Sequence, residues 1–390
     1  MRSMKKIIFF FSLLSIFFHA YNQEIEFKEI DKWIKNNPGE LVPIRIEFND
    51  NIDCYKLNQE FKEKKIPVNQ RPKIVNRLLK EQAIKSQEFV LDFLKKQNPS
   101  EIYYHSFWIV NIIVAKVDIS TIEKLAHFSN ISSVKIENNQ FIAHEDFEVS
   151  VDNNRTPNGV ENGLIAINAP AMWALGYTGR GRLAYNYDTG VWPNHPAFSN
   201  RFIGNRFPMQ QSWIGYFNSF PNGSIQNHGT HTLGTIAGLV ESTNDTIGVA
   251  FGSYWIANDF VTSTVQALPP IVNMIEAFQW ALNPDNDTST TEDIPDVINN
   301  SWRWYDGNDT THCQGFVVNL MNAIEAAGIA NVFSGGNSGP NNSSVNSPQR
   351  INTSEVNTFC VGSINGNISF PYPISNFSTR GPSQCSSSGS

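Results

Sequence analysis

From Phe141 to Ser390 the chain contains no lysine. That stretch carries eight arginines against nineteen acids, a net charge of −11, which excludes the basic surface that a nucleic-acid partner requires. Cysteine is scarce as well. Cys54 stands early and Cys313, Cys360 and Cys385 late, in spacings that match no zinc pattern and allow one disulfide plus a spare thiol, with the pairing open. After the first 20 residues no long apolar run occurs, so no membrane-spanning helix of about 20 apolar residues is predicted.

What is present begins with a targeting signal. Arg2, Lys5 and Lys6 precede the run Ile7–Phe18, apolar apart from Ser12 and Ser15, and this pattern predicts a secretory signal peptide over 1–23, cut between Ala20 and Gln23. Hydrophobic residues make up 41% and charged residues 17% of the 390, a balance that folds and a length that fills two or three cores. From Leu41 to Gln140 there are fifteen Lys and Arg, twelve of them Lys, against twelve acids, a net of +3. Two domains of opposite charge are therefore expected, 41–140 and 164–390 joined by 141–163, and opposite signs favour their association.

The first domain alternates as a strand over Leu41–Phe48 and has helical spacing over Pro72–Lys96. Ile102–Asp118 is rich in β-branched and aromatic residues and reads as one long or two short strands. Ser120-Thr121-Ile122-Glu123 is a capping-box pattern that opens a short helix to about His127, and Ile131–Ile136 is a strand. That order suits a small ferredoxin-like α+β module.

The second domain alternates apolar strands with amphipathic helices. Strands are predicted at Arg182–Asp188, Val297–Trp302, Ile329–Ser334 and Phe359–Ile364, with helices at His228–Val240, Ile271–Leu282 and Val317–Ala327. Pro270 suits the first turn of the second helix. Such alternation predicts an α/β fold, a mostly parallel sheet with helices on both faces, and ligands at the carboxyl ends of its strands. Asp188, Ser301 and, just past its strand, Asn337 are thereby singled out.

Asp188 precedes Thr189-Gly190, where glycine lets the backbone turn and present the carboxylate. Taken alone it is either an acid capping a turn or a functional group. Asp-Thr-Gly also occurs in aspartic proteases, but those need a second acid in an all-β setting, and neither is visible. His228 opens His228-Gly229-Thr230-His231-Thr232-Leu233-Gly234-Thr235. Two histidines three apart could ligate a metal, yet no nearby Glu or third His completes a site. Glycine costs a helix about 0.5–1 kcal/mol relative to alanine, so Gly229 and Gly234 imply close packing. Asn337 lies in Ser334-Gly335-Gly336-Asn337-Ser338-Gly339-Pro340, where a side-chain amide can donate to an oxyanion or merely sit in a turn.

These three segments, in this order, resemble the subtilisin-like serine proteases. The resemblance runs from about Leu164 to Pro382 and includes Trp173–Gly181, His195-Pro196 and Phe377-Ser378-Thr379-Arg380-Gly381-Pro382. Phe107-Trp108-Ile109-Val110-Asn111 similarly resembles the inhibitory propeptide of the bacillopeptidase-like branch. The resemblance implies a secreted serine endopeptidase acting on polypeptides: Asp188 as orienting acid, His228 as general base, Asn337 as oxyanion donor, and Ser301, Trp302, Ser334, Gly335 and Gly336 along the substrate backbone. It also implies that the prodomain folds and inhibits the catalytic domain before being cut off between Gln140 and Asn162. No cofactor is required. The acids Asp285, Asp287, Glu292, Asp293 and Asp296 crowd one loop, either as plain solvated acids or around a structural Ca2+.

Three departures accompany the likeness. Asn186 stands where the family pattern has an apolar residue, and Leu233 where a small one is usual. No Gly-Thr-Ser-Met-Ala-type segment, the family's source of the nucleophile, occurs anywhere in the 390 residues, and Ser386, Ser387, Ser388 and Ser390 lie in a Ser/Gly tail. The expectation is a precursor fragment truncated before its catalytic serine; the alternative is a catalytically inactive relative that acts as a peptide-binding or inhibitory protein.

Overall fold

The computed structural model describes residues 24–97, 103–137, 142–143, 159–223, 227–261, 271–304, 313–351 and 358–385. The signal segment, Pro270, most of the processing linker and the serine-rich tail lie outside them. The chain divides into two compact units, residues 1–52 with 79–138 and residues 53–78 with 139–390.

In chain order the early elements are β1 (Glu24–Ile25), α1 (Phe27–Asn36), β2 (Val42–Phe48), α2 (Cys54–Glu63), α3 (Arg71–Lys96), β3 (Tyr103–Phe107), β4 (Ile112–Val117), α4 (Ile119–Leu125) and β5 (Ile131–Ile136). The first unit is a five-stranded sheet in the order β1-β5-β2-β4-β3, with β2 antiparallel to both neighbours. The alternation of β2 explains its centrality: Val42, Ile44, Ile46 and Phe48 enter one core with Val90, Leu94, Ile122 and Leu125. On its other face Arg45 binds Glu47 at 2.8 Å and Glu137 at 2.5 Å. The segment 102–118 forms two strands because Asn111, at φ 49°, turns the chain in the left-handed region that asparagine tolerates. Helix α4 begins one residue before the expected capping box, since Asp118 accepts the Thr121 amide at 2.7 Å.

Residues 53–78, which the sequence assigns to the first domain, cluster with the second unit. Asp53 caps α2, whose Asn58 donates to Glu325 at 3.0 Å, and Asn76 donates to the Leu282 carbonyl. The remaining elements are β6 (Ile142–Ala143), α5 (Asn162–Ala166), α6 (Ala169–Ala174), β7 (Leu183–Tyr187), β8 (Trp213–Ile214), α7 (His228–Ala237), β9 (Leu239–Val240), β10 (Asp245–Thr246) and β11 (Tyr254–Asn258). They continue with α8 (Ile271–Ala281), β12 (Val297–Asn300), β13 (Arg303–Trp304), α9 (Phe316–Ala326), β14 (Ala330–Ser334) and β15 (Phe359–Val361).

Six of these strands form a sheet in the order β15-β14-β12-β7-β11-β8, and every pairing is parallel. Parallel sheets bury both faces of their central strands, and all five residues of β7 are buried. Tyr187, Phe278, Trp302 and Phe333 pack as one aromatic group with ring centroids 5.0–6.4 Å apart. Helix α7 ends at Ala237, short of the expected Val240, because the Gly238 carbonyl accepts the amides of Ile247 and Gly248 as the chain folds back. The expected bridge is Cys313–Cys385, with Cys54 and Cys360 outside it; burial pushes the Cys54 thiol up to about 12. Among the described residues no helix is long and apolar enough to cross a membrane.

Candidate active site

Strand register brings the singled-out residues to one edge. Tyr187 pairs with Asn300 and Asn300 with Phe333, so Asp188, Ser301 and Ser334 are the next residues on three adjacent parallel strands, about 4.8 Å apart per strand. Asp188 is fully buried there. A buried polar group is costly unless hydrogen-bonded, and this one is bonded at both oxygens: Oδ1 meets His228 Nδ1 at 2.5 Å and accepts the Thr189 amide at 2.7 Å, while Oδ2 accepts the Thr232 hydroxyl at 2.9 Å. Its own amide donates to Asn258 Oδ1 at 2.9 Å.

His228 reaches the acid because the start of α7 lies against the end of β7. A Cβ on Gly229 would stand 2.1 Å from the Gly190 carbonyl oxygen and 3.1 Å from Asp188 Cβ, so glycine is what permits the approach. The expected packing reason holds for Gly229 alone, since a Cβ on Gly234 would meet nothing within 4 Å. Gly190, at φ 102°, turns the chain after the acid, and a Cβ there would meet the Asn222 carbonyl oxygen at 2.3 Å. The Gly229 amide donates to Thr189 Oγ1 at 3.0 Å and the Trp192 amide to Thr230 Oγ1 at 2.9 Å, which fastens the first turn of α7 to the loop after β7.

The other expected residues take different positions. Ser301 is half-buried and its Oγ accepts from Asn299 at 3.1 Å. The Trp302 side chain lies in the core and its carbonyl accepts from Gln349 at 2.6 Å, so any contact with a substrate would come from its backbone. Ser334 ends β14, and the buried Gly335 and Gly336 are tied to the segment after β15: the Gly335 amide donates to Val361 O at 2.7 Å and the Thr379 amide to Gly336 O at 3.0 Å. Asn337 follows in the same loop, exposed to solvent.

Burial first, then the neighbouring His228 ring, hold the His231 imidazole below the ordinary range. Among the described residues no group of three or more His, Cys, Asp or Glu converges as a metal site would require. In the acidic loop Asp293 accepts the Asp285 amide at 2.8 Å, and burial, then Asp285, raise its carboxyl to about 6.

Several partners of the site were not singled out from the sequence, and Asn186 was noted there only as a departure from the family pattern. Thr189, Thr232, Asn186, Asn258 and Asn299 all bond to the acid or to the residues beside it. The available signal was asparagine inside predicted strands, where it is disfavoured unless a polar partner waits. Asn186 and Asn299 are in fact cross-strand partners. Asp259, fully buried, accepts the amides of Tyr216 (2.5 Å), Phe217 (3.2 Å) and Asn218 (2.9 Å) and the Asn218 side chain (2.8 Å), which fixes the loop that passes Gly190.

A buried carboxylate bonded to an imidazole through Nδ1, at the carboxyl edge of a parallel sheet, is an arrangement that can work as the acid–base half of a nucleophilic relay. Residues 187–388 match the subtilase family of S8 peptidases, and the chain belongs to that family. It is 31% identical over 277 residues to Bacillopeptidase F of Bacillus subtilis (strain 168), covering 66% of this chain and 19% of the relative. Identity to Minor extracellular protease Vpr of the same organism is 27%, covering 52% and 23%, and to its Subtilisin E 29%, covering 46% and 41%. The chain thus spans between about a fifth and two fifths of the length of these relatives.

Proposed function

We propose that the protein is a secreted serine endopeptidase precursor in which His228 is the general base, Asp188 holds it in the Nδ1–H tautomer, and Asn337 donates to the oxyanion. The observation that carries this is the 2.5 Å contact between His228 Nδ1 and the buried Asp188. Bonding at Nδ1 leaves Nε2 as the lone pair that takes the nucleophile's proton. Substrate backbone would run along Ser301 and Ser334–Gly336 by strand addition. No Gly-Thr-Ser-Met-Ala-type segment occurs in residues 1–390.

The first domain acts as an inhibitory prodomain released between Gln140 and Asn162. Its support is the charge contrast and the antiparallel pairing of Ile142–Ala143 with Arg303–Trp304, two residues beyond Ser301. The test is expression of the whole open reading frame with a casein assay. Hydrolysis abolished by His228→Ala and by Asp188→Asn is expected. Hydrolysis that survives both, or a frame that supplies no Gly-Thr-Ser segment, defeats the proposal.

A further inference from the structure

Asn186 is one of the positions where this chain departs from the family pattern, and its side chain is hydrogen-bonded at both ends. One of its amide hydrogens goes to Gly229 O at 2.9 Å and the other to Thr232 Oγ1 at 3.2 Å, while its Oδ1 accepts from Asn299 Nδ2 at 3.0 Å. The second hydrogen of Asn299 goes to Ser301 Oγ at 3.1 Å. The Thr232 hydroxyl lies within reach of three acceptors, Asp188 Oδ2 at 2.9 Å, Gly229 O at 3.2 Å and Asn186 Oδ1 at 3.3 Å. Asp188 Oδ2 is the nearest of them and the charged one, which makes that bond the strongest.

We infer that Thr232, aimed by Asn186 and Asn299, is a positioning residue that fixes the rotation of the Asp188 carboxylate so that Oδ1 stays on His228. Asn299 donates to both Ser301 and Asn186, Asn186 to Thr232 and Thr232 to Asp188, and this network links the strand expected to meet substrate to the acid. This rests on Asp188 and His228 being the acid–base pair of the proposed function.

The test reads the imidazole, without need of catalysis. The His228 ring is titrated by NMR in the 390-residue protein, with the Nδ1–H resonance followed at low field, for wild type, Thr232→Ser and Thr232→Val. With the hydroxyl gone the carboxylate is free to turn, its hold on the imidazolium weakens, and the His228 pKa falls by about half a unit to one unit in the valine variant, as losing one hydrogen bond implies. The serine variant titrates as wild type. Equal titration in all three overturns the inference. So does a rise in the valine variant, because Thr232 would then only be neutralising charge. Should the valine variant not fold, Thr232→Ala is read in its place. A protein that titrates as stated but whose full reading frame never cleaves peptide would sink the protease proposal and leave this inference standing.

Discussion

Replacing Gly229 and Gly234 by alanine should move stability in opposite directions, though both lie in the same ten-residue helix. In the helix interior alanine is better than glycine by about 0.5–1 kcal/mol, because glycine loses more backbone entropy on folding. At Gly234 nothing opposes that gain, since a Cβ would find no atom within 4 Å. At Gly229 the same methyl would lie 2.1 Å from the Gly190 carbonyl oxygen and 3.1 Å from Asp188 Cβ. Backbone cannot swing aside as a side chain can, so α7 and the end of β7 must part. Overpacking of this kind costs about 1–3 kcal/mol, which outweighs the propensity gain. In a unit of this size 1 kcal/mol shifts the melting temperature by about 2–4 °C. Tryptophan fluorescence reports the change, because Trp213 and Trp255 are buried in the cluster that holds Leu233 and Ala237. Gly234→Ala should melt a few degrees higher than wild type and Gly229→Ala several degrees lower. Two shifts of the same sign would refute the claim that close packing at the acid, and not helix formation in general, requires Gly229.

Asp259→Asn should free the loop at residues 216–218, because an amide presents only one acceptor oxygen to four donors and a buried unpaired group costs about 1–3 kcal/mol. Faster hydrogen exchange at those three amides checks it. Reducing Cys313–Cys385, which closes a loop of 72 residues in sequence separation, should lower stability by about 2–4 kcal/mol, read as an earlier urea midpoint in dithiothreitol. Asp293 has a folded pKa of about 6, raised from 3.8, so the native state binds the proton more tightly than the unfolded one. The penalty is absent below about pH 4 and complete above about pH 6, where it amounts to about 1–3 kcal/mol. Stability should therefore rise as pH falls from 7 to 5, and Asp293→Asn should be the more stable protein at pH 7 with that dependence removed. A melting curve series that gives both proteins the same pH dependence would dismiss this account.

Much of the fold was legible because periodicity and strand ends are local properties. Apolar alternation at Val42–Phe48 and the buried run Leu183–Tyr187 read as strands in sequence and are strands, and the ends of β7 and β12 identify Asp188 and Ser301. Where boundaries moved, a single group decided: Asp118 captured the start of α4, and the Gly238 carbonyl was taken by residues 247–248. Helices α1 and α2 went unread because they are short and mostly polar, and α2 finds its partner Glu325 some 267 residues away.

The sequence by itself determined the family, since Asp-Thr-Gly, His-Gly-Thr-His and Gly-Gly-Asn in that order carry the likeness to subtilases that residues 187–388 match. Tertiary structure alone decided how the acid is held. The bonds of Asn186 to Gly229 and Thr232 span 43 and 46 residues, and its bond from Asn299 spans 113. Hydrogen-bond direction depends on distances of a few tenths of an ångström, and strand register sets those distances where residue order does not.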